Sequence, residues 1–101
     1  MLELPIKRFG ITDHALQRLR KRVGIPKKAA YRHVQKVLEK GVPLDAHSNG
    51  QFRRWAKEAL EYYPDCIYIE YNDFVYVFSG SEEDFRLVTV LYPPNGGAWE
   101  N

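Results

Sequence analysis

The stretch CIYIEYNDFVYVF, residues 66–78, is the clearest indication of the fold because it contains two strand-forming runs and the turn between them. The runs CIYIEY and FVYVF are rich in β-branched and aromatic residues, which favour strands. Asn72 and Asp73 join them, and both residue types tolerate the positive φ angles of a two-residue hairpin turn. A third run of this kind, FRLVTVLY, occupies residues 85–92. The pattern predicts an antiparallel meander over residues 66–92.

Three amphipathic segments precede the strands and predict helices. In the first, Thr12 is a good N-cap, and Gly24 is placed to end the helix in a left-handed conformation. The second begins at Pro26 and stops at Gly41, and the third opens with the capping-box pattern Ser48-Asn49-Gly50-Gln51. Because helices and strands are separated along the chain, we expect an α+β fold. Three N-terminal helices would pack on a C-terminal three- to four-stranded antiparallel meander sheet.

The length of 101 residues is typical of one domain, and we expect residues 1–101 to form a single unit. Its predicted parts are an N-terminal arm or strand (1–10), a helical half (12–63), the antiparallel sheet (66–92) and a tail (93–101). Cys66 is the only cysteine, so an internal disulfide is excluded and a reducing cytoplasm is indicated. The sequence contains no apolar run that could span a membrane, no metal-ligand spacing and no cofactor motif. We therefore predict no cofactor and no metal.

The charges are divided unevenly along the chain. Residues 1–57 carry fourteen Lys and Arg against four Asp and Glu, whereas residues 58–101 carry one against nine. The first part has a formal charge of +10 and the second a charge of −8, in agreement with the total of +2. Such a basic half indicates an anion-binding surface, and RNA or another polyanion is the favoured partner. The alternative is that the two parts attract each other within one fold.

His14 lies in the first turn of the predicted helix 1, and Arg18 follows one turn later on the same face. Because the positive end of the helix dipole disfavours an added proton, we expect a neutral imidazole that can act as a general base. Free amides at a helix start also bind phosphate. Lys21 and Arg22 continue around this side as expected nucleic-acid contacts. The alternative is that His14 helps to cap the helix and that the cations are simply solvated.

A second basic group, Arg53, Arg54 and Lys57, lies opposite the apolar stripe of the predicted helix 3. Glutamates four residues after Arg54 and Lys57 can neutralise part of this face, so Arg53 is the better phosphate candidate. In the last strand, Thr89 interrupts an apolar run. Its hydroxyl is a candidate to meet a reacting phosphate, and packing at the edge of the core is the alternative.

The segments ITDHALQRLRKRVGIPKKAA (11–30), FRRW (52–55) and LVTVLYPP (87–94) together resemble a group of short proteins of phages and mobile elements. The pattern of that group runs from a Thr-x-His-Ala-x-x-Arg start, through a central basic helix, to a final strand ending Leu-[Ile/Val]-Thr-Val. The group in turn resembles the RelE/barnase-like ribonuclease toxins, which pack N-terminal helices on an antiparallel sheet and cut RNA without a metal. The resemblance implies catalytic roles for His14, Arg18 and Thr89, and a phosphate contact at Arg53 or Arg54.

Three hypotheses about function follow from these observations. The first is a small, metal-independent endoribonuclease of the cytoplasm of a bacterial host, in which His14, Arg18, Arg53 and Thr89 converge on one pocket. The second is a nucleic-acid-binding module without catalytic activity. The third is a phage inhibitor that binds a host defence protein. An antitoxin and a second copy of the chain are further candidate protein partners, and no membrane association is expected.

Overall fold

The computed structural model describes residues 9–62, 64–80 and 84–92, and it confirms an α+β fold with three helices. In chain order the elements are β1 (Gly10–Ile11), α1 (Asp13–Arg18) continued by a π-helical turn (Leu19–Val23), α2 (Lys27–Lys40), β2 (Val42–Pro43), a 3-10 turn (Leu44–Ala46), α3 (Gly50–Tyr62), β3 (Cys66–Tyr71), β4 (Phe74–Ser79) and β5 (Arg86–Leu91). Most of the predicted arm (residues 1–8), the tip of the second turn (81–83) and the predicted tail (93–101) lie outside the described residues.

The predicted hairpin and meander are present. β3 and β4 pair in register from Cys66 opposite Ser79 to Tyr71 opposite Phe74. Asn72 and Asp73 form the turn with φ angles of 49° and 72°, as their residue types predicted. β5 then pairs antiparallel with β4.

The sheet is larger than predicted and is not purely antiparallel. It has five strands in the order β1-β5-β4-β3-β2. β1 runs parallel to β5, with Gly10 opposite Arg86, and β2 runs antiparallel to β3, with Val42 opposite Glu70. The expectation of three to four antiparallel strands is therefore wrong in this detail. A strand of two residues is too short to show the alternation by which strands are recognised in a sequence.

Helices cover both faces of the sheet. We call the face under α1 and α2 the first face and the face under the 3-10 turn and α3 the second face. Residues 75–78 of β4 are buried without interruption, which is typical of a strand covered on both sides. The first-face core consists of Ala15, Leu19, Ala30, Val34, Val37, Leu38, Ile69, Tyr76, Phe78, Phe85, Leu87 and Val90. The second-face core consists of Leu44, Ala56, Tyr68, Val75 and Val77.

The helix ends follow local rules, with two corrections. Gly24 ends the π-helical turn with a φ of 85°, as predicted. Pro26 precedes α2 instead of occupying its first turn. Asn49, not Ser48, caps α3, because the Asn49 side-chain oxygen accepts a hydrogen bond of 2.8 Å from the Gln51 amide. No helix in the described parts of the chain is long and apolar enough to cross a membrane.

Thr12 joins α1 to the sheet. Its hydroxyl oxygen accepts a hydrogen bond of 3.1 Å from the Ala15 amide, and the hydroxyl donates to the Val88 carbonyl at 3.4 Å. The Thr12 amide also donates to the Leu87 carbonyl at 3.1 Å. One residue therefore fixes where the chain leaves β1 and where α1 begins.

We predict that Thr12→Ala lowers the free energy of unfolding by about 1 kcal/mol, because the helix cap is lost. Thr12→Ser keeps the hydroxyl and is the matched control. Urea denaturation monitored by circular dichroism measures both. An equal loss in the serine variant would show that the methyl group, not the hydrogen bonds, carries the effect.

Candidate functional site

The expected common pocket is not formed, because its members lie on opposite faces of the sheet. α1, which carries His14, packs on the first face. Thr89 stands opposite Val77 in the β4–β5 ladder, and directly opposed residues of an antiparallel pair share a face. Val77 belongs to the second-face core, so the Thr89 side chain also lies on the second face. The prediction that His14 and Thr89 meet in one pocket is therefore wrong.

Because β5 contains a bulge, the face on which Thr89 lies cannot be read from the alternation of side chains along the strand. Phe78 stands opposite Leu87, whereas Val77 stands opposite Thr89, so Val88 is the extra residue. An inserted residue shifts the alternation of side chains on one side of the bulge. The half-buried Thr89 consequently lies on the face that packs against α3.

His14 and Arg18 do come together. The Arg18 Nε–H donates a hydrogen bond of 3.3 Å to His14 Nε2, and the His14 side chain is exposed on the first turn of α1. His14 Nε2 is the acceptor in this contact, so its lone pair is directed at the Arg18 guanidinium. The pair places an imidazole and a guanidinium side by side at the surface, where both can contact a phosphate.

Arg22 is engaged within the fold. Its Nη1 donates a hydrogen bond of 2.7 Å to the Val90 carbonyl, and its guanidinium lies 5.1 Å from the centre of the Tyr92 ring. Because β1 pairs only with residues 86 and 87 of β5, the carbonyl of Val90 lies beyond the end of the parallel ladder. Arg22 closes this part of the sheet edge, whereas Lys21 is exposed.

The basic group of α3 lies on the other side of the molecule from His14. Arg53 Nη1 donates a hydrogen bond to the His47 carbonyl, so this guanidinium holds the loop before α3. Arg54 and Lys57 are exposed. The expected ion pair between Lys57 and Glu61 is not formed, and the Glu58 side chain lies outside the described residues.

His47 and His33, which are not among the predicted site residues, form hydrogen bonds within the fold. His47 Nδ1 accepts from the Asn49 amide at 3.0 Å, which leaves Nε2–H to donate to Glu70 at 2.9 Å. The second Glu70 oxygen accepts from the Asp73 amide at 2.9 Å. This chain of bonds links the start of α3 to the β3–β4 turn and uses both ring nitrogens of His47.

His33 pairs with the buried Tyr76. The His33 Nε2 and the Tyr76 hydroxyl are 2.7 Å apart. Burial lowers the pKa of His33, and the positive charge of Lys36 lowers it further. Burial also raises the pKa of the Tyr76 phenol. Both groups are therefore neutral near pH 7. Their hydrogen bond satisfies two polar groups at the first-face core without burying a charge.

Cations are concentrated over the first face, in what we call the basic layer. Between residues 12 and 40 there are nine Lys and Arg against two carboxylates, a net formal charge of +7. Within residues 9–62, 64–80 and 84–92, none of these nine cations forms an ion pair. Seven are exposed, and Arg18 and Arg22 are half-buried. The basic layer consists of Arg18, Arg20, Lys21, Arg22, Lys27, Lys28, Arg32, Lys36 and Lys40.

The described residues offer no metal site, and their cleft at Cys66 offers no reactive group. They contain no group of three or more His, Cys, Asp or Glu side chains placed to hold a metal ion. A cleft of about 90 Å³ lies beside Cys66 and Leu44. Burial raises the pKa of the Cys66 thiol, which disfavours the reactive thiolate.

Comparison of the chain with protein-family models, curated proteins and solved structures found no match.

We predict that Arg22→Ala lowers the free energy of unfolding by about 1.5 kcal/mol or more, because a charged hydrogen bond to Val90 is lost. Arg20→Ala removes the same charge from the same turn at an exposed position and should change stability by less than about 0.5 kcal/mol. Urea denaturation of both variants measures the difference. Equal values would mean that Arg22 is a surface cation and does not close the sheet edge.

Proposed function

We propose that this protein binds nucleic acid through the phosphate backbone, using the basic layer over the first face. The observation that carries the proposal is the net charge of +7 between residues 12 and 40, with no ion pair to these cations among the described residues. Unpaired cations gathered on one surface attract a polyanion and release its bound counterions. This is the polyanion partner predicted from the charge distribution.

The positions of the exposed carboxylates also favour the basic layer as the binding surface. The exposed residues Asp65, Asp73 and Asp84 lie at the turns and ends of the sheet strands. α1 and α2 together carry only two carboxylates, Asp13 at the start of α1 and Glu39 near the end of α2. Asp84 also pairs with Arg86 at 2.8 Å, which neutralises the cation of β5. A polyanion therefore meets attraction over the helices and repulsion at the sheet turns.

The spacing of the α2 cations suits a repeating anion. Lys28, Arg32 and Lys36 follow one another at four-residue intervals and are all exposed. Each interval advances about 6 Å along a helix axis and keeps the side chains on one side. Three positive charges in a row are thus presented to successive phosphates.

We predict that the triple variant Lys28→Glu, Arg32→Glu, Lys36→Glu binds nucleic acid at least about tenfold more weakly, because phosphate contacts become repulsive. The slope of log affinity against log salt should also become shallower by about 2. Fluorescence anisotropy with a labelled oligonucleotide at several salt concentrations measures both quantities.

The matched control is Arg53→Glu, Arg54→Glu, Lys57→Glu, which makes the same change of charge on α3. Thermal melting checks that this variant stays folded without the hydrogen bond from Arg53 to the His47 carbonyl. This control should retain most of the affinity, because α3 covers the second face. Equal losses in the two triple variants would indicate a general effect of net charge, and the basic layer would not be the binding surface.

Cleavage of the bound RNA is a second candidate function, supported by the contact between His14 and Arg18. In this reaction the Arg18 guanidinium moves from His14 to the phosphate, which frees the lone pair of His14 Nε2. Nε2 then takes the proton of a ribose 2′-hydroxyl as the 2′-oxygen attacks the adjacent phosphorus. The bond to the 5′-oxygen breaks, and that oxygen takes a proton from water, giving a cyclic phosphate and a 5′-hydroxyl end. Arg18 would stabilise the charge that develops on the phosphate oxygens.

We expect the protein to cut RNA in the presence of EDTA, and we expect His14→Ala to abolish cutting while RNA binding is kept. Gel analysis of a defined RNA with the purified, folded protein is the measurement. Intact RNA after incubation with the wild-type protein would eliminate the nuclease and leave the binding function in place.

A further inference from the structure

Tyr31 on α2 is the most exposed large hydrophobic side chain of the described residues, with 57% of its surface accessible. We propose that Tyr31 is a stacking site for an unpaired nucleobase, so that the preferred ligand is a single strand and not a duplex. This inference rests on the proposed function, because the basic layer must first hold the phosphates. A base inside a duplex is stacked on its neighbours and does not offer a free face to a protein ring.

The Tyr31 ring is held in place from one side. Its centre lies 5.5 Å from that of the Phe9 ring, with 31° between the two planes. Phe9 is half-buried and packs against the first-face core. The amide of the next residue, Gly10, donates a hydrogen bond of 2.8 Å to the Phe85 carbonyl, which fixes the chain there. A ring with this support loses little side-chain freedom when it stacks on a base.

The positive charges beside Tyr31 favour a nucleic acid as the ligand that stacks on its ring. Lys27 and Lys28 precede Tyr31 by four and three residues, so they lie beside it on the helix surface, and both are exposed. These ammonium groups would hold the phosphates on either side of a base that stacks on Tyr31. An aromatic ring beside a row of cations is the usual arrangement of sites for single strands.

Tyr92 provides an internal comparison because it is the other exposed tyrosine of the described residues, at 50%. Its ring already contacts the Arg22 guanidinium at 5.1 Å and lies 6.1 Å from the Phe74 ring. Phe74 follows directly after the exposed Asp73, whose charge repels phosphate. Tyr92 is therefore less suited than Tyr31 to receive a base.

The experiment compares three labelled probes of about twelve nucleotides: a single strand, an abasic strand with the same number of phosphates, and a duplex. Tyr31→Leu keeps apolar cover over Phe9 but has no aromatic face, and Tyr31→Phe keeps the face. We expect Tyr31→Leu to bind the single strand about fivefold or more weakly and to bind the abasic strand and the duplex unchanged. Tyr31→Phe and Tyr92→Leu should bind all three probes like the wild type, and thermal melting checks that each variant is folded.

Two results would overturn the stacking site. One is a Tyr31→Leu variant with wild-type affinity for the single strand. The other is an equal loss for the single and abasic strands, because that loss would not involve a base. In both cases binding through the basic layer would stand. A wild-type protein that binds none of the probes at low salt would instead remove the proposed function together with this inference.

Discussion

Burial of β4 on both faces determines how the helices must pack on the sheet. Tyr76 and Phe78 are fully inaccessible on the first face, and Val75 and Val77 are buried on the second. Burying one large apolar side chain contributes about 1.5–3 kcal/mol, while a whole domain is stable by only about 5–15 kcal/mol. Neither face can therefore be left open to water. The three helices must be shared between the two faces, with α1 and α2 on one and α3 on the other.

This division determines where the charges lie. Ala15, Leu19 and the apolar stripe of α2 pack on the first face, so the cations of residues 12–40 lie over that face. Ala56 packs on the second face, so the α3 cations lie over that one. The hydrogen bonds of Thr12 and Arg22 to the β5 carbonyls fix α1 along the sheet edge. The basic layer is thus a consequence of how the core is closed, and the His14–Arg18 pair belongs to it.

Features set by neighbouring residues could be predicted from the sequence, and features set by long-range packing could not. The Asn72-Asp73 turn, the Thr12 cap and the left-handed Gly24 depend on local chemistry and were predicted correctly. The bulge at Val88 depends on pairing with β4, so the sequence alone could not show which face of the sheet carries Thr89. The contacts of Arg22 with Val90 and of His33 with Tyr76 join residues far apart in the chain, and no local pattern indicated them. The charge difference between the two parts of the chain was evident, but the concentration of nine cations over the first face follows only from the helix positions.

We propose that a polyanion binds the first face of the molecule and not the second. An amide NMR titration of the labelled protein with a short unlabelled single strand tests it most directly, because every backbone amide reports on its own surroundings. We expect the shifted signals to belong to residues 13–40 and the signals of α3 to stay in place. Shifts concentrated in α3, or no shifts at low salt, would contradict it.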